Sequence, residues 1–183
     1  MTHSEYPSAA DAVTDLIRRV PGFPAQNVVF EDLTPVLADA QAFRLIVDEL
    51  AEAAERYDAD IIGGLDARGF LLGSAVAYRL GLGILAVRKE GKLPPPVFHR
   101  SYNLEYGESA LEIPRDGIDL RGKNVVLIDD VLATGGTLCA SRELLDDAGA
   151  TVAGLAVVLE VQALGGRKRL ADLPLTVVGE HSE

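Results

Sequence analysis

Four short stretches of this chain are apolar at nearly every position rather than at every second one: Ile61-Ile62 running into Gly63-Gly64-Leu65, and residues 84–87, 125–128 and 151–159. A strand that is apolar on both sides has to be buried on both sides. That condition is met by a parallel sheet with helices packed on its two faces. The intervening segments have helical character. Asp66-Ala67-Arg68-Gly69 leads into a helix expected over about 70–79, with Gly81 as its terminator, and a second helix is expected over about 138–148, closed by Gly149. Upstream, Ser8 with Asp11 caps a helix expected to reach about residue 19, where Pro21-Gly22 stops it. Residues 28–30 are a short strand candidate. Asp39 caps a longer helix carrying Phe43, Ile46, Val47, Leu50 and Ala54 on one face. A short helix near 167–170 and a strand at 175–178 complete an α/β pattern of one domain over residues 1–183, a mostly parallel sheet with helices on both faces.

Ligands of such sheets sit beyond the carboxyl ends of the strands. The turns after Leu65 and after Ile128 fall there. Residues 88–124 are too long for an ordinary connection. They read as a two-stranded excursion with a mobile tip, a small flexible lid over about 88–109, and its tyrosines and basic residues Arg88, Lys89, Lys92 and Arg100 favour a functional role over a plain surface insertion.

Charge narrows the partners. Lys and Arg number 17 against 28 Asp and Glu, a formal net charge of -11. A field of that sign repels nucleic acid and anionic membrane surfaces. It leaves room for a phosphorylated small molecule held locally by backbone N–H groups, a cation and an arginine. No apolar stretch approaches membrane-spanning length, no signal peptide is visible, and Cys139 is the single cysteine, so a reduced cytoplasm is the expected setting. His3, His99 and His181 are scattered in sequence and give no metal-ligand spacing. Cys139 reads as a packed residue, since no histidine lies near it in sequence.

The segment VVLIDDVLATGGT, residues 125–137, carries the most chemistry. A buried strand ends in Asp129 and Asp130, and Ala133, Thr134, Gly135, Gly136 and Thr137 open the next helix. Glycines let backbone approach a ligand, and a helix start offers free N–H groups with a favourable dipole. GxxxxGK[ST] and GxGxxG are both absent, which sets aside the Walker loop and the dinucleotide fingerprint. A carboxylate pair just upstream suits a ribose diol while the loop holds a 5-phosphate. Capping is the bland alternative for the two aspartates.

This segment resembles the phosphoribosyl pyrophosphate (PRPP) motif of the type I phosphoribosyltransferases. Further ordered blocks resemble the adenine-specific branch of that family: VVFEDLTPVL (28–37), GGLDARGF (63–70), RKEGKLP (88–94), SYNLEYG (101–107), LEI (111–113) and LGGRKRL (164–170). The resemblance implies transfer of a phosphoribosyl group from PRPP to adenine, with Mg2+ as cofactor bound mainly through substrate oxygens and water, in a homodimer. It implies that Ala67 and Arg68 form the pyrophosphate loop, with Arg68 facing the leaving group. Glu105 and Tyr106 become the lid tip, with Glu105 exchanging a proton with the base. Val29 and Phe30 become the apolar wall for adenine, and Arg88 lies near the base or the dimer interface. Glu31 stands where the family commonly has arginine, residues 24–27 replace a glycine-containing hinge, and Pro95-Pro96 stiffens the lid segment. Phosphoribosyl transfer to hypoxanthine or xanthine is a rival reading, as is a non-catalytic PRPP-binding regulator. The acidic charge and the retained Arg68 and Glu105 segments favour catalysis over the regulator.

Overall fold

In a computed structural model of the chain, residues 6–23, 26, 29–104 and 107–179 are described. A seven-stranded sheet organises them, in the order β5 (Val97–Leu104), β6 (Gly107–Pro114), β4 (Gly83–Lys89), β3 (Ile61–Leu65), β7 (Asn124–Leu132), β8 (Thr151–Glu160) and β9 (Leu175–Val177). Its parallel part comprises β3, β4, β7, β8 and β9. The alternation of side chains along β7 divides the core in two. Val126 and Ile128 pack with α3 (Ala40–Arg56) and α4 (Arg68–Leu80) on one face. Val125 and Leu127 pack with α5 (Gly136–Asp147) on the other. The apolar runs are thus double-sided, as their sequence requires.

Local chemistry explains the boundaries. Asp39 accepts the backbone N–H groups of Gln41 and Ala42, capping α3. Gly81 ends α4 in the left-handed region, φ 67°. Ser8 caps α1 (Ala9–Leu16) by accepting Asp11 N–H at 3.1 Å. That helix stops short of the expected residue 19. Arg18–Pro21 is instead an extended strand, β1, antiparallel to β2 (Val29–Asp32). The pairing joins Arg18 to Asp32 at 3.1 Å and Arg19 to Glu31 at 3.3 Å. Cross-strand ion pairs together with Val20 and Pro21 outweigh the helical pattern. A short helix, α2 (Thr34–Ala38), precedes the Asp39 cap.

The excursion has the expected two strands, and they extend the main sheet. Arg88 and Lys89 belong to β4, and the hairpin of β5 (Val97–Leu104) and β6 (Gly107–Pro114) continues the main sheet. Arg88 pairs with Glu112 and Lys89 with Leu111 in an antiparallel ladder. Leu111 and Ile113 are fully buried in the α5-side core, which ties the hairpin's base to the domain.

Candidate functional site

The first chemistry-bearing turn joins β3 to α4. A Cβ on Gly64 would meet the Gly69 carbonyl at 2.7 Å, and one on Gly69 would meet the Ile128 carbonyl at 2.6 Å. Both glycines are required because the turn lies against its own strand and against β7. Asp66 anchors it: its carboxylate accepts Arg88 Nε–H at 3.1 Å and Lys89 N–H at 3.3 Å, and its own N–H donates to the Val87 carbonyl at 3.1 Å. The guanidinium of Arg88 also sits 5.4 Å above the Phe70 ring, a cation–π distance. The Asp66–Ala67 peptide is cis.

The second turn joins β7 to α5. Asp129 and Asp130 follow the apolar run of β7 without ending the strand, which continues to the buried Leu132, and Asp130 N–H donates to the Asp129 carboxylate at 2.9 Å. Gly135 lies in the left-handed region, φ 78°, where a side chain is strained, and α5 begins at Gly136. Cys139 is therefore the fourth residue of that helix. Burial raises its thiol pKa, which fits a packing role rather than that of a nucleophile. Residues 129 and 131–138 enclose a concavity of about 120 Å³ beside the loop.

The two turns face each other across a cleft of about 430 Å³ lined by Asp66, Ala67, Arg68, Lys89, Tyr102, Asp129, Asp130 and Thr137 among others. Arg68 Nε–H donates to the Asp130 carboxylate, with the arginine side chain 49% exposed and the aspartate 9%. A half-exposed guanidinium held by a buried carboxylate is available to an incoming anion. Asp129 has its pKa raised well above the ordinary carboxylate value, first by burial and then by the Asp130 charge. Hydroxyl donors from a diol would relieve that penalty. A larger cavity of about 750 Å³ lies at the other end of the sheet, where residues 115–121 and 147–149 lead into β7 and β8. It is at the amino ends of those strands and lacks the paired acids and the glycine loop.

Residues 36–177 match the phosphoribosyl transferase domain model. The chain belongs to the phosphoribosyltransferase family. This phosphoribosyltransferase is 83% identical over 183 residues, all of both chains, to the adenine phosphoribosyltransferase of Corynebacterium kroppenstedtii. It is 64% identical over 180 residues, 98% of each chain, to that of Corynebacterium diphtheriae. Among solved structures it is similar to the adenine phosphoribosyltransferase of Thermoanaerobacter pseudethanolicus, with TM-score 0.88 and 42% identity over 94% of this chain and 99% of that one. It also resembles the Saccharomyces cerevisiae enzyme complexed with D-2,5-dideoxy-2,5-imino-altritol 1,6-bisphosphate and adenine, with TM-score 0.85 and 35% identity over 93% and 98% of the two chains.

The fold of this phosphoribosyltransferase brings together Ala67, Arg68, Asp129, Asp130 and Thr137, with Arg88 held just behind by Asp66. Ala133, Thr134, Gly135 and Gly136 line the adjoining concavity. Val29 and Phe30 are not among the cleft-lining residues. Val29 is 56% exposed, and Phe30 stacks edge-on against Phe23 at 5.2 Å. Glu105 and Tyr106 lie outside the described residues. Sequence reasoning passed over Asp66 and Tyr102. Asp66 had a visible signal, since it directly precedes the Ala67-Arg68 turn. Tyr102 had only the general signal of the tyrosines in residues 88–109, because its approach to the loop (Thr137 Oγ1 donates to its hydroxyl at 3.4 Å) depends on how the hairpin lies. The scattered histidines also hid a neighbourhood: His99 Nε2 is 3.1 Å from the Glu90 carboxylate, while Glu112 beside them accepts Gly91 N–H at 3.0 Å. His99 is thus partnered by Glu90, and Glu112 by the Gly91 amide.

Proposed function

We propose that the chain transfers the 5-phosphoribosyl group of PRPP to adenine, forming AMP and pyrophosphate. The observation that carries the reading is the placement of an acid pair and a glycine loop on consecutive residues 129–137, directly across a cleft from the Arg68 turn. The adenine-named relatives at 83% and 64% identity support adenine over other purines.

In this reading the loop from Ala133 to Thr137 holds the 5-phosphate, and Asp129 and Asp130 accept hydrogen bonds from the ribose 2- and 3-hydroxyls. Their charge also favours the positive character that grows on the ribose ring as the bond to pyrophosphate breaks. Arg68 exchanges part of its contact with Asp130 for the leaving diphosphate. Asp66 holds Arg88 at the cleft rim. Adenine lies against Val29 and Phe30, and its N9 forms the bond to C1 of the ribose. The proton that the base gives up passes toward Glu105, while Tyr106 helps to cover the site. The carboxylate oxygens of Asp129 and Asp130 are hard donors of the type that suits Mg2+ and its water shell. Bound chiefly through PRPP oxygens, the ion would supply charge neutralisation of the leaving group. Closure of residues 88–109 would exclude water from the activated sugar. The chain as one domain, acting as a cytoplasmic homodimer, completes the proposal.

A base panel with PRPP and magnesium tests it. Adenine should be converted to AMP, with hypoxanthine, guanine and xanthine much poorer. Equal or better turnover of one of those bases would overturn the adenine assignment.

A further inference from the structure

A phosphate loop works only if its amides face the anion and its carbonyls face away. The loop at residues 133–137 cannot arrange this alone, because its two consecutive carbonyls, of Ala133 and Thr134, need donors on the far side. The structure provides both from one distant segment. Gly166 N–H donates to the Ala133 carbonyl at 3.1 Å, and Arg169 Nη1–H donates to the Thr134 carbonyl at 3.2 Å. In a trans peptide the C=O and the following N–H point in opposite directions. With those two carbonyls turned toward residues 166 and 169, the N–H groups of Thr134 and Gly135 are turned the other way. Among the described residues neither amide has a protein partner.

The segment is built to hold this position. Strand β8 stays zipped to β7 up to the loop, with Val161 N–H donating to the Leu132 carbonyl at 2.8 Å. Glu160, the last residue of β8, is 5% exposed and accepts Arg167 Nε–H at 3.0 Å and Arg167 Nη2–H at 2.5 Å. That ion pair fixes the turn Gln162–Leu164 and the short helix α6 (Gly166–Arg169). The packing leaves no slack. A Cβ on Gly166 would meet the Ala133 carbonyl at 2.3 Å and Gly135 N at 3.0 Å, and a Cβ on Gly135 would meet the Gly166 carbonyl at 3.2 Å.

We infer that Glu160, Gly166, Arg167 and Arg169 are positioning residues: a brace, remote in sequence, that sets the polarity of the phosphate loop. None of them needs to touch the substrate. The inference rests on reading residues 133–137 as the site of the 5-phosphate, so its test uses ribose 5-phosphate, a probe that does not depend on which base is the acceptor.

Calorimetry on the folded protein gives the test. Gly166→Ala is expected to lower ribose 5-phosphate affinity by about tenfold or more, and Arg169→Ala by several-fold, as expected when an anion loses well-aimed donors. Arg169→Lys, which keeps a cationic donor, should recover most of the loss. Glu160→Gln should weaken binding with an intermediate effect. Arg169 is exposed, so its variants should fold even if Gly166→Ala does not. A brace that merely stabilised the fold would lower the melting temperature and leave the affinity of the folded protein unchanged. If Arg169→Ala and Glu160→Gln both bind ribose 5-phosphate within twofold of wild type, the brace is wrong and the phosphate loop stands. If the wild-type protein does not bind ribose 5-phosphate, the loop assignment falls and the brace with it. Failure with adenine alone touches neither.

Discussion

Asp129 and Asp130 show how a site can be read from residue types while its electrostatics depend on packing. The pair after an apolar run was visible in the sequence, although the strand itself continues past it to Leu132. That Asp129 titrates high, through burial and the adjacent Asp130, is a property of the folded environment alone. Its sign yields a prediction. A carboxyl whose folded pKa lies above its unfolded value favours the folded state below the unfolded pKa, and that contribution is lost as pH rises through the folded pKa. At neutral pH the ionised group therefore works against folding. Asp129→Asn should raise the melting temperature at pH 7, by about 2–4 °C for each kcal/mol relieved, and the gain over wild type should vanish in acid. The same variant should lose activity. A charge-assisted hydrogen bond is worth about 1.5–3 kcal/mol, so at least one of Asp129→Asn and Asp130→Asn should fall about tenfold or more in kcat/KM. Wild-type kinetics in both would make the pair structural. Gly135 carries a related lesson. Its sequence setting suggests that a side chain there would obstruct the phosphate directly, yet the Cβ would meet Gly166 and Leu170 on the far side of the loop. Gly135→Val should still abolish AMP binding by calorimetry, through displacement of the loop and the strain of a valine at φ 78°.

At the scale of elements, long periodic segments were legible and short ones were not. Strands β3, β4, β7 and β8 and helices α3, α4 and α5 followed from apolar runs, caps and terminal glycines. Strand β1 did not, because its extended form comes from pairing with β2, a contact between residues 8 to 14 positions apart that no local pattern contains. The attachment of the hairpin was hidden for the same reason. Arg100 on β5 reaches α5, with Nη2–H donating to Asp147 at 2.5 Å and Nε 3.3 Å from the Glu143 carboxylate. The hairpin thereby rests on the helix that begins at the glycine loop. Arg100→Ala should loosen it, seen as faster amide exchange over residues 97–104 and 107–114 with the central strands unchanged. Glu105→Gln should slow base transfer in single-turnover measurements by about a hundredfold or more while weakening PRPP binding far less. Normal turnover would remove Glu105 from the mechanism.

The whole molecule presents an acidic surface, a net charge of -11, interrupted by an apolar face that its own packing leaves open. Leu71 and Tyr78, two turns apart on α4, are 59% and 90% exposed, and Ile84 at the start of β4 is 38% exposed. The sequence alone did not reveal this face. Leu71 and Ile84 carry the same hydrophobic signal as the buried Leu72 and Leu85 beside them, and only the orientation of α4 on the sheet separates the two sets. A copy of the same chain, related by a two-fold axis, would cover this face with itself, and desolvating a tyrosine and two aliphatic side chains on each subunit favours association. The face lies on the helix that begins at Arg68 and the strand that ends at Arg88 and Lys89, so a partner seated there would back the Arg68 side of the cleft. Charge at its centre should prevent this. Leu71→Asp combined with Tyr78→Asp is expected to convert a dimer to a monomer in light scattering. Because both side chains are largely exposed in the isolated subunit, the variant's melting temperature at low protein concentration should stay close to that of wild type. A wild-type protein that is monomeric at tens of micromolar would remove the dimer from the proposal. A double variant that remains dimeric would move the interface elsewhere on the molecule.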